Sequence, residues 1–128
     1  MHPFYTQTGF WLAVLAGLLM YVNAIRTLVD PVGFSHYMGL PIASPTDIAW
    51  VRVYGLRALF IGLMITYFLI RLDAGSLQWL AGFAVSMALG DALLVRNAGG
   101  KAVPRHVTIA AVLVAATIAI HHWSLASA

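Results

Sequence analysis

Four long apolar segments, separated by short polar or proline-containing stretches, dominate the pattern of this chain. Each is close in length to the roughly 20 residues that a helix needs to cross the hydrocarbon core of a bilayer. The pattern predicts transmembrane helices over about residues 9–29, 47–70, 77–95 and 104–122. Since the connections between them are short, residues 1–128 are predicted to form a single four-helix transmembrane domain.

The longest connection joins the first two predicted helices. Asp30-Pro31 ends the first of them, and Pro41 and Pro45 bound the second half of the connection. Residues 34–40 mix apolar and polar side chains, so we expect an interfacial segment that lies on the membrane surface or folds over the mouth of the bundle. The predicted fold class is therefore all-α, an integral membrane four-helix bundle with an interfacial segment between helices 1 and 2.

The composition supports the membrane assignment and excludes other classes. Hydrophobic residues make up 62% of the chain and charged residues only 9%, and the mean hydropathy is +0.89. A soluble domain has a far more balanced composition. The formal net charge is +3, but the basic residues are dispersed among apolar segments and form no basic face for nucleic acid. The absence of cysteine excludes thiolate chemistry.

The distribution of basic residues predicts an orientation. Arg96, Lys101 and Arg105 flank the connection between the third and fourth helices, whereas Arg71 lies on the opposite side. Cytoplasmic loops carry an excess of lysine and arginine. We therefore expect an integral protein of the bacterial inner membrane with both termini outside the cytoplasm.

Polar side chains from all four predicted helices point to one end of the bundle. The second helix is the richest, because Trp50, Tyr54 and Arg57 share one quadrant at 100° per residue. A charge at hydrocarbon depth costs roughly 2.5 to 3.5 kcal/mol on insertion scales, so such residues usually face a bundle interior and a partner. The candidate ligand-binding residues are Asn23, Arg26, Asp47, Trp50, Tyr54, Arg57 and Asp91.

Three polar residues at this end of the bundle, Arg57, Asp91 and His106, are also candidate catalytic residues. After three crossings the third helix returns to the level at which the second begins, so Asp91 is expected to pair with Arg57. If the site is catalytic, Asp91 or His106 carries the proton and Arg57 stabilises developing negative charge. The alternative is a buried ion pair that only fixes the helix register. For Arg26 the alternative is that its side chain reaches the lipid headgroups.

The sequence predicts no metal site and no cofactor. The five histidines are divided between opposite membrane faces, and no two have ligand spacing on one helix face. No glycine-rich nucleotide loop follows a strand pattern.

Short motifs along the chain resemble those of the small four-helix DoxX-like membrane families: Asp30-Pro31, Met38-Gly39-Leu40-Pro41, Tyr54-Gly55-Leu56-Arg57, Gly62, Asp91 and His106. The resemblance extends from about Val22 to Thr117 and is closest to a branch known only as a domain of unknown function. It implies a four-helix membrane fold and no established reaction. Members of that branch often have Asp directly after the motif arginine, where this chain has Ala58.

Three function classes follow from these features. The first is a protein that binds, and as an enzyme transforms, a lipophilic small molecule such as an isoprenoid, sterol-like or quinone-like compound. The second is an accessory or scaffolding subunit of a larger membrane complex. The third is a proton or ion pathway, although the polar groups occupy only about half of the membrane depth. The expected partners are membrane lipids, a lipophilic ligand, and a second copy or larger complex, because lipid-facing and subunit-facing surfaces look alike in the sequence.

Overall fold

The computed structural model of the protein describes residues 4–42 and 44–127. Within these ranges the chain forms a short 3-10 turn and five α-helices, with no β-strand. The helices are α1 (Thr8–Val29), α2 (Pro31–Met38), α3 (Pro45–Ile70), α4 (Ala74–Asn97) and α5 (Val103–Ser127). By length and composition, α1, α3, α4 and α5 can each cross a membrane. The predicted all-α membrane bundle is therefore confirmed.

Local capping explains why α3 and α4 begin earlier than the apolar pattern alone predicts. Ser44 precedes α3, and its amide donates a hydrogen bond of 2.8 Å to the carboxylate of Asp47, while Pro45 occupies the first helical turn. Asp73 precedes α4, and its carboxylate accepts hydrogen bonds from the amide and the hydroxyl of Ser76, at 2.9 and 2.6 Å. The starts of α3 and α4 are thus both fixed by polar side chains outside the apolar segments.

The predicted segment between the first two membrane helices contains the short helix α2. Its start is capped by Asp30, whose carboxylate accepts a hydrogen bond of 2.8 Å from the amide of Gly33. Its end lies at Gly39, which has a φ of +85°, a conformation that residues with a side chain rarely adopt. Phe34 and Ser35 of α2 are buried. α2 therefore packs on the bundle and folds over the end at which α1 finishes.

The four long helices form a bundle that is open on one side. α1 packs along α3 and also against α5, while α4 packs along α5. α3 and α4 contact each other only sparsely. The order around the bundle is therefore α3, α1, α5, α4, with the open side between α3 and α4. The main buried cluster lies at the end where α1 begins and comprises Ala13, Ile65, Ala74, Leu77, Ile120 and Trp123.

Candidate functional site

A cavity of about 230 Å³ lies beneath α2, between α3 and α4, and is called the α2 cavity below. Trp50 and Leu94, which are 71% and 62% exposed, are among its lining residues, so the cavity opens to the lipid-facing surface. Most of its wall is apolar. The lining residues are Phe34, Ser35, Met38, Leu40, Trp50, Val51, Tyr54, Asp91, Leu94, Val95 and His106.

Three ionisable side chains from three helices meet at this cavity. The carboxylate of Asp91 interacts electrostatically with the imidazole of His106, and also with the hydroxyl of Tyr54. Asp91 is partly buried, and its carboxylate forms no hydrogen bond or ion pair with any residue in the described ranges. An acceptor of this kind, in an apolar wall, is available to a ligand that carries a donor.

His106 connects the cavity floor to α2. It is 2% exposed, and its Nε2 lies 3.1 Å from the backbone carbonyl oxygen of Met38. Because a carbonyl oxygen only accepts hydrogen bonds, Nε2 carries the hydrogen and donates it. The remaining ring nitrogen, Nδ1, accepts a hydrogen bond when the ring is neutral and donates one when it is protonated. His106 can therefore hold α2 through Nε2 while Nδ1 takes part in a second hydrogen bond.

Aromatic and backbone contacts hold α2 over the cavity. The ring of Phe34 lies 5.4 Å from the ring of Tyr54, with an interplanar angle of 39°. Gly39, directly after α2, packs against the loop before α5 so closely that a Cβ there would lie 2.5 Å from the Cβ of Ala102. These contacts and the bond from His106 make α2 the roof of the cavity.

Arg57 lies in a neighbouring groove and not in the α2 cavity. This outer groove has a volume of about 440 Å³, and its lining residues are Val53, Leu56, Arg57, Phe60, Ile61 and Met87. Arg57 is about 18 Å along α3 from Pro45 at 1.5 Å per residue, which is close to the middle of the helix. Its side chain is exposed on the open side of the bundle.

The ion pair expected between Arg57 and Asp91 does not form among the described residues. Asp91 lines the α2 cavity together with His106, whereas Arg57 lines the outer groove. Along α4 the groove is lined by Met87, one turn before Asp91. The two charges thus lie on adjacent sections of the open side, and the sparse contact between α3 and α4 leaves them apart.

The other sequence-predicted residues are divided among different places. Trp50 and Tyr54 line the α2 cavity with Asp91. Asp47 accepts the amide hydrogen bond of Ser44 at the start of α3. Asn23 is partly buried and Arg26 is exposed, and neither lines the cavity. The guanidinium of Arg26 instead lies 4.7 Å from the ring of Tyr37.

The segment between the first two spans was predicted to lie on the membrane surface or fold over the bundle mouth, but none of its residues was predicted to line the α2 cavity. Ser35 and Met38 line it from above, and Phe34 packs on Tyr54. The signal for α2 in the sequence was Asp30-Pro31 followed by Gly39, a capping residue, a first-turn proline and a terminating glycine around one short helix.

Comparison with known proteins adds a family but no reaction. No curated protein and no solved structure is significantly similar to this chain. Residues 17–120 match the family described as "Domain of unknown function (DUF4267)". The matched range includes all of α3 and α4 and every ionisable residue of the α2 cavity. Because the match covers most of the sequence, the chain belongs to the DUF4267 family.

Proposed function

We propose that this protein binds a lipophilic small molecule whose polar head enters the α2 cavity and whose apolar body lies along the open side between α3 and α4. One observation carries the proposal. Asp91, Tyr54 and His106 meet in a mostly apolar cavity that opens to the lipid-facing surface. Small-molecule sites commonly combine apolar walls with a few convergent polar groups.

The size of the cavity limits the ligand. Typical ligand sites measure about 300 to 1,000 Å³, whereas the α2 cavity holds about 230 Å³. It therefore suits the head of a lipid and not the whole molecule, and the outer groove of about 440 Å³ offers room for the remainder. An isoprenoid, sterol-like or quinone-like compound with a hydroxyl or carbonyl on its head has this shape and polarity.

Transformation of the bound molecule is a finer part of the same proposal. Asp91 or His106 would exchange a proton with the head, because both face the cavity and interact with each other. Arg57, in the outer groove, would stabilise negative charge on a part of the ligand that extends out of the cavity. Binding does not depend on this step.

The experiment is native mass spectrometry of the gently solubilised protein combined with lipid extraction. Asp91→Asn and Tyr54→Phe change one polar group each, and Ser86→Ala is the matched control, since the Ser86 hydroxyl is exposed and donates only to the carbonyl oxygen of Phe83 in its own helix. We expect a co-purifying lipophile in the wild type and the control. In Asp91→Asn, the loss of a charged hydrogen-bond acceptor should lower the occupancy of this lipophile about 10- to 100-fold.

Equal retention in Asp91→Asn, Tyr54→Phe and the control would contradict the α2 cavity as the binding site. Circular dichroism of each variant separates loss of the ligand from loss of the helical fold. A repeat with Arg57→Gln tests the outer groove alone.

A second candidate function, an accessory subunit of a larger membrane complex, is favoured by Arg57. This guanidinium lies within a membrane-spanning helix, on the open side of the bundle, and forms no ion pair with a described residue. A partner helix that carries a carboxylate would neutralise it. Co-purification of one partner in fixed stoichiometry, lost in Arg57→Gln but kept in Asp91→Asn, would favour this function.

Two wider assignments remain proposals alongside the function. The motif Tyr54-Gly55-Leu56-Arg57, with Asp91 and His106, supports a relation to the DoxX-like membrane families. The basic residues around the loop between α4 and α5 support an inner-membrane orientation with both termini outside the cytoplasm.

A further inference from the structure

Two arginines from different helices converge on one aromatic ring at the α2 end of the bundle. The guanidinium carbon of Arg105, in the first turn of α5, lies 3.9 Å from the ring centroid of Tyr37. That of Arg26, in the last turn of α1, lies 4.7 Å from the same centroid. Tyr37 belongs to α2 and is 41% exposed. These three residues, called the arginine cluster below, lie outside the α2 cavity.

The arginine cluster has an excess of positive charge. Neither Arg26 nor Arg105 forms an ion pair with a residue in the described part of the chain. Asp30, one turn after Arg26, has its carboxylate engaged with the amide of Gly33. The face of a tyrosine ring attracts a guanidinium but does not neutralise it. Two like charges held on one ring therefore favour an anion beside them.

The position of the arginine cluster indicates which kind of anion it would bind. Arg26 lies near the end of one membrane-spanning helix and Arg105 near the start of another. Both are therefore close to the level at which the hydrocarbon core meets the phospholipid headgroups. The planar fork of arginine matches the oxygens of a phosphate, and basic pockets between membrane helices bind anionic headgroups.

We propose that the arginine cluster binds the phosphate of an anionic phospholipid, independently of the ligand in the α2 cavity. An anionic headgroup is preferred over a zwitterionic one, because the cationic part of a zwitterionic headgroup is repelled by the two guanidinium groups. Val32, on α2 and outside the lining of the α2 cavity, is 46% exposed and offers apolar contact to the acyl chains. Free phosphate shares the headgroup chemistry but lacks these chains.

The test is native mass spectrometry of the full chain with equal amounts of phosphatidylglycerol and phosphatidylcholine, in which the bound lipids are counted. We expect the wild type to prefer phosphatidylglycerol. Arg26→Gln and Arg105→Gln should each lower that preference about fivefold, the size expected for one cation near an anionic membrane surface. Substituting both arginines should remove most of the preference.

Arg52→Gln is the matched control, because Arg52 is an exposed arginine at the same end of the bundle that contacts no described aromatic ring. It should lower the preference less than either cluster substitution does, because a lone exposed arginine attracts anionic lipid only in general and does not share a headgroup with a second cation. The double substitution of Arg26 and Arg105 to lysine keeps both charges and should retain part of the preference, so a general loss of the fold is recognised. An equal loss in Arg52→Gln would overturn the cluster as a specific site.

A separate measurement distinguishes lipid from free phosphate. Inorganic phosphate at the concentration of the lipid should not displace phosphatidylglycerol, because it makes no acyl-chain contacts. Displacement, together with equal binding of the two phospholipids, would overturn the assignment to a lipid headgroup.

Discussion

At the scale of single residues, Gly55 sets the distance between α1 and α3. It is buried, and a Cβ at this position would overlap the hydroxyl oxygen of Thr27. Gly55→Ala should therefore destabilise the protein by about 1 to 3 kcal/mol, as overpacking of a close contact does. The measurement is the free energy of unfolding in detergent micelles by titration with a denaturing detergent.

Gly90→Ala is the control for that prediction. Gly90 lies on α4, and a Cβ there would meet no other atom within 4 Å. Since alanine is the better helix former by about 1 kcal/mol in soluble hosts, this variant should be as stable as the wild type or more stable. If both alanines have the same effect, close packing of α1 against α3 is not what Gly55 provides.

The carboxylate of Asp73 is expected to make the free energy of unfolding depend on pH. Hydrogen bonds from the hydroxyl and the amide of Ser76, with a smaller contribution from Arg71, hold the pKa of Asp73 below its ordinary value of 3.8. The ionised form is thus favoured by folding, so its stabilising contribution is complete above the unfolded-state pKa. It is lost as the pH falls through the lower pKa of the folded state.

Two variants separate the cap of α4 from its charge. Asp73→Ala should cost about 1 kcal/mol or less at neutral pH, the range of an N-cap residue, since this side chain is exposed. Asp73→Asn keeps a good N-cap and should remove only the part of the acid dependence that Asp73 contributes. Unfolding free energies measured from pH 7 down to about pH 3 test this. An unchanged acid dependence in Asp73→Asn would assign it to other carboxylates.

At the scale of elements, α2 is a roof held by few contacts. His106 donates to the carbonyl oxygen of Met38, and the remaining attachments are the ring contact of Phe34 and the packing at Gly39. Removing the His106 side chain loses one hydrogen bond and leaves space beneath α2. We expect α2 to open more often in His106→Ala, by about tenfold for a loss of roughly 1.4 kcal/mol.

Thiol labelling measures this opening, because the chain contains no cysteine. Ser35 is 4% exposed, so a cysteine introduced there should react slowly with a maleimide and about tenfold faster when His106→Ala is added. His36→Cys is the control on the same helix, since His36 is already exposed and should react at one rate in both backgrounds. A Ser35→Cys rate that does not respond to His106→Ala would mean that the other contacts suffice to hold α2.

At the scale of the whole molecule, the sequence predicted where the helices begin and end better than which helices pack against each other. The first span was predicted from residue 9 to 29 and runs from Thr8 to Val29, because the length of an apolar segment is a local property. The predicted pairing of Arg57 with Asp91 does not form in the structure, for a physical reason. An angle of 100° per residue gives the face that a residue shares on its own helix but not the helix that this face meets.

The packing of small residues determines which helix each face of α3 meets in this bundle. Gly55, Ala58 and Gly62 of α3 are buried, and the two glycines lie against Thr27 and Tyr21 of α1. This close packing places α3 against α1 and leaves the face with Arg57 on the open side. Ala58, directly after Arg57, is 3% exposed on the packed face. A carboxylate at that position would point away from the α2 cavity.

The basic residues predict an orientation for the whole molecule. Arg96 lies in the last turn of α4, Lys101 in the loop after it and Arg105 in the first turn of α5, while Arg71 ends α3 at the opposite side of the bundle. Positive residues near the ends of spans remain in the cytoplasm during insertion. The loop between α4 and α5, and with it the α2 cavity and the arginine cluster, is therefore predicted to face the cytoplasm.

Single cysteines that leave every charge in place test this orientation. Ala98 follows α4 and Gly75 lies in the first turn of α4, and both are exposed. In intact cells, a membrane-impermeant maleimide should label Gly75→Cys at once and Ala98→Cys only after the membrane is opened. The reverse pattern would place the α2 cavity on the outer side, and the lipophilic ligand would then be expected to approach the cavity from the outer leaflet. The positive-inside rule favours the first pattern, since Arg96, Lys101 and Arg105 around one loop oppose Arg71 at the other side.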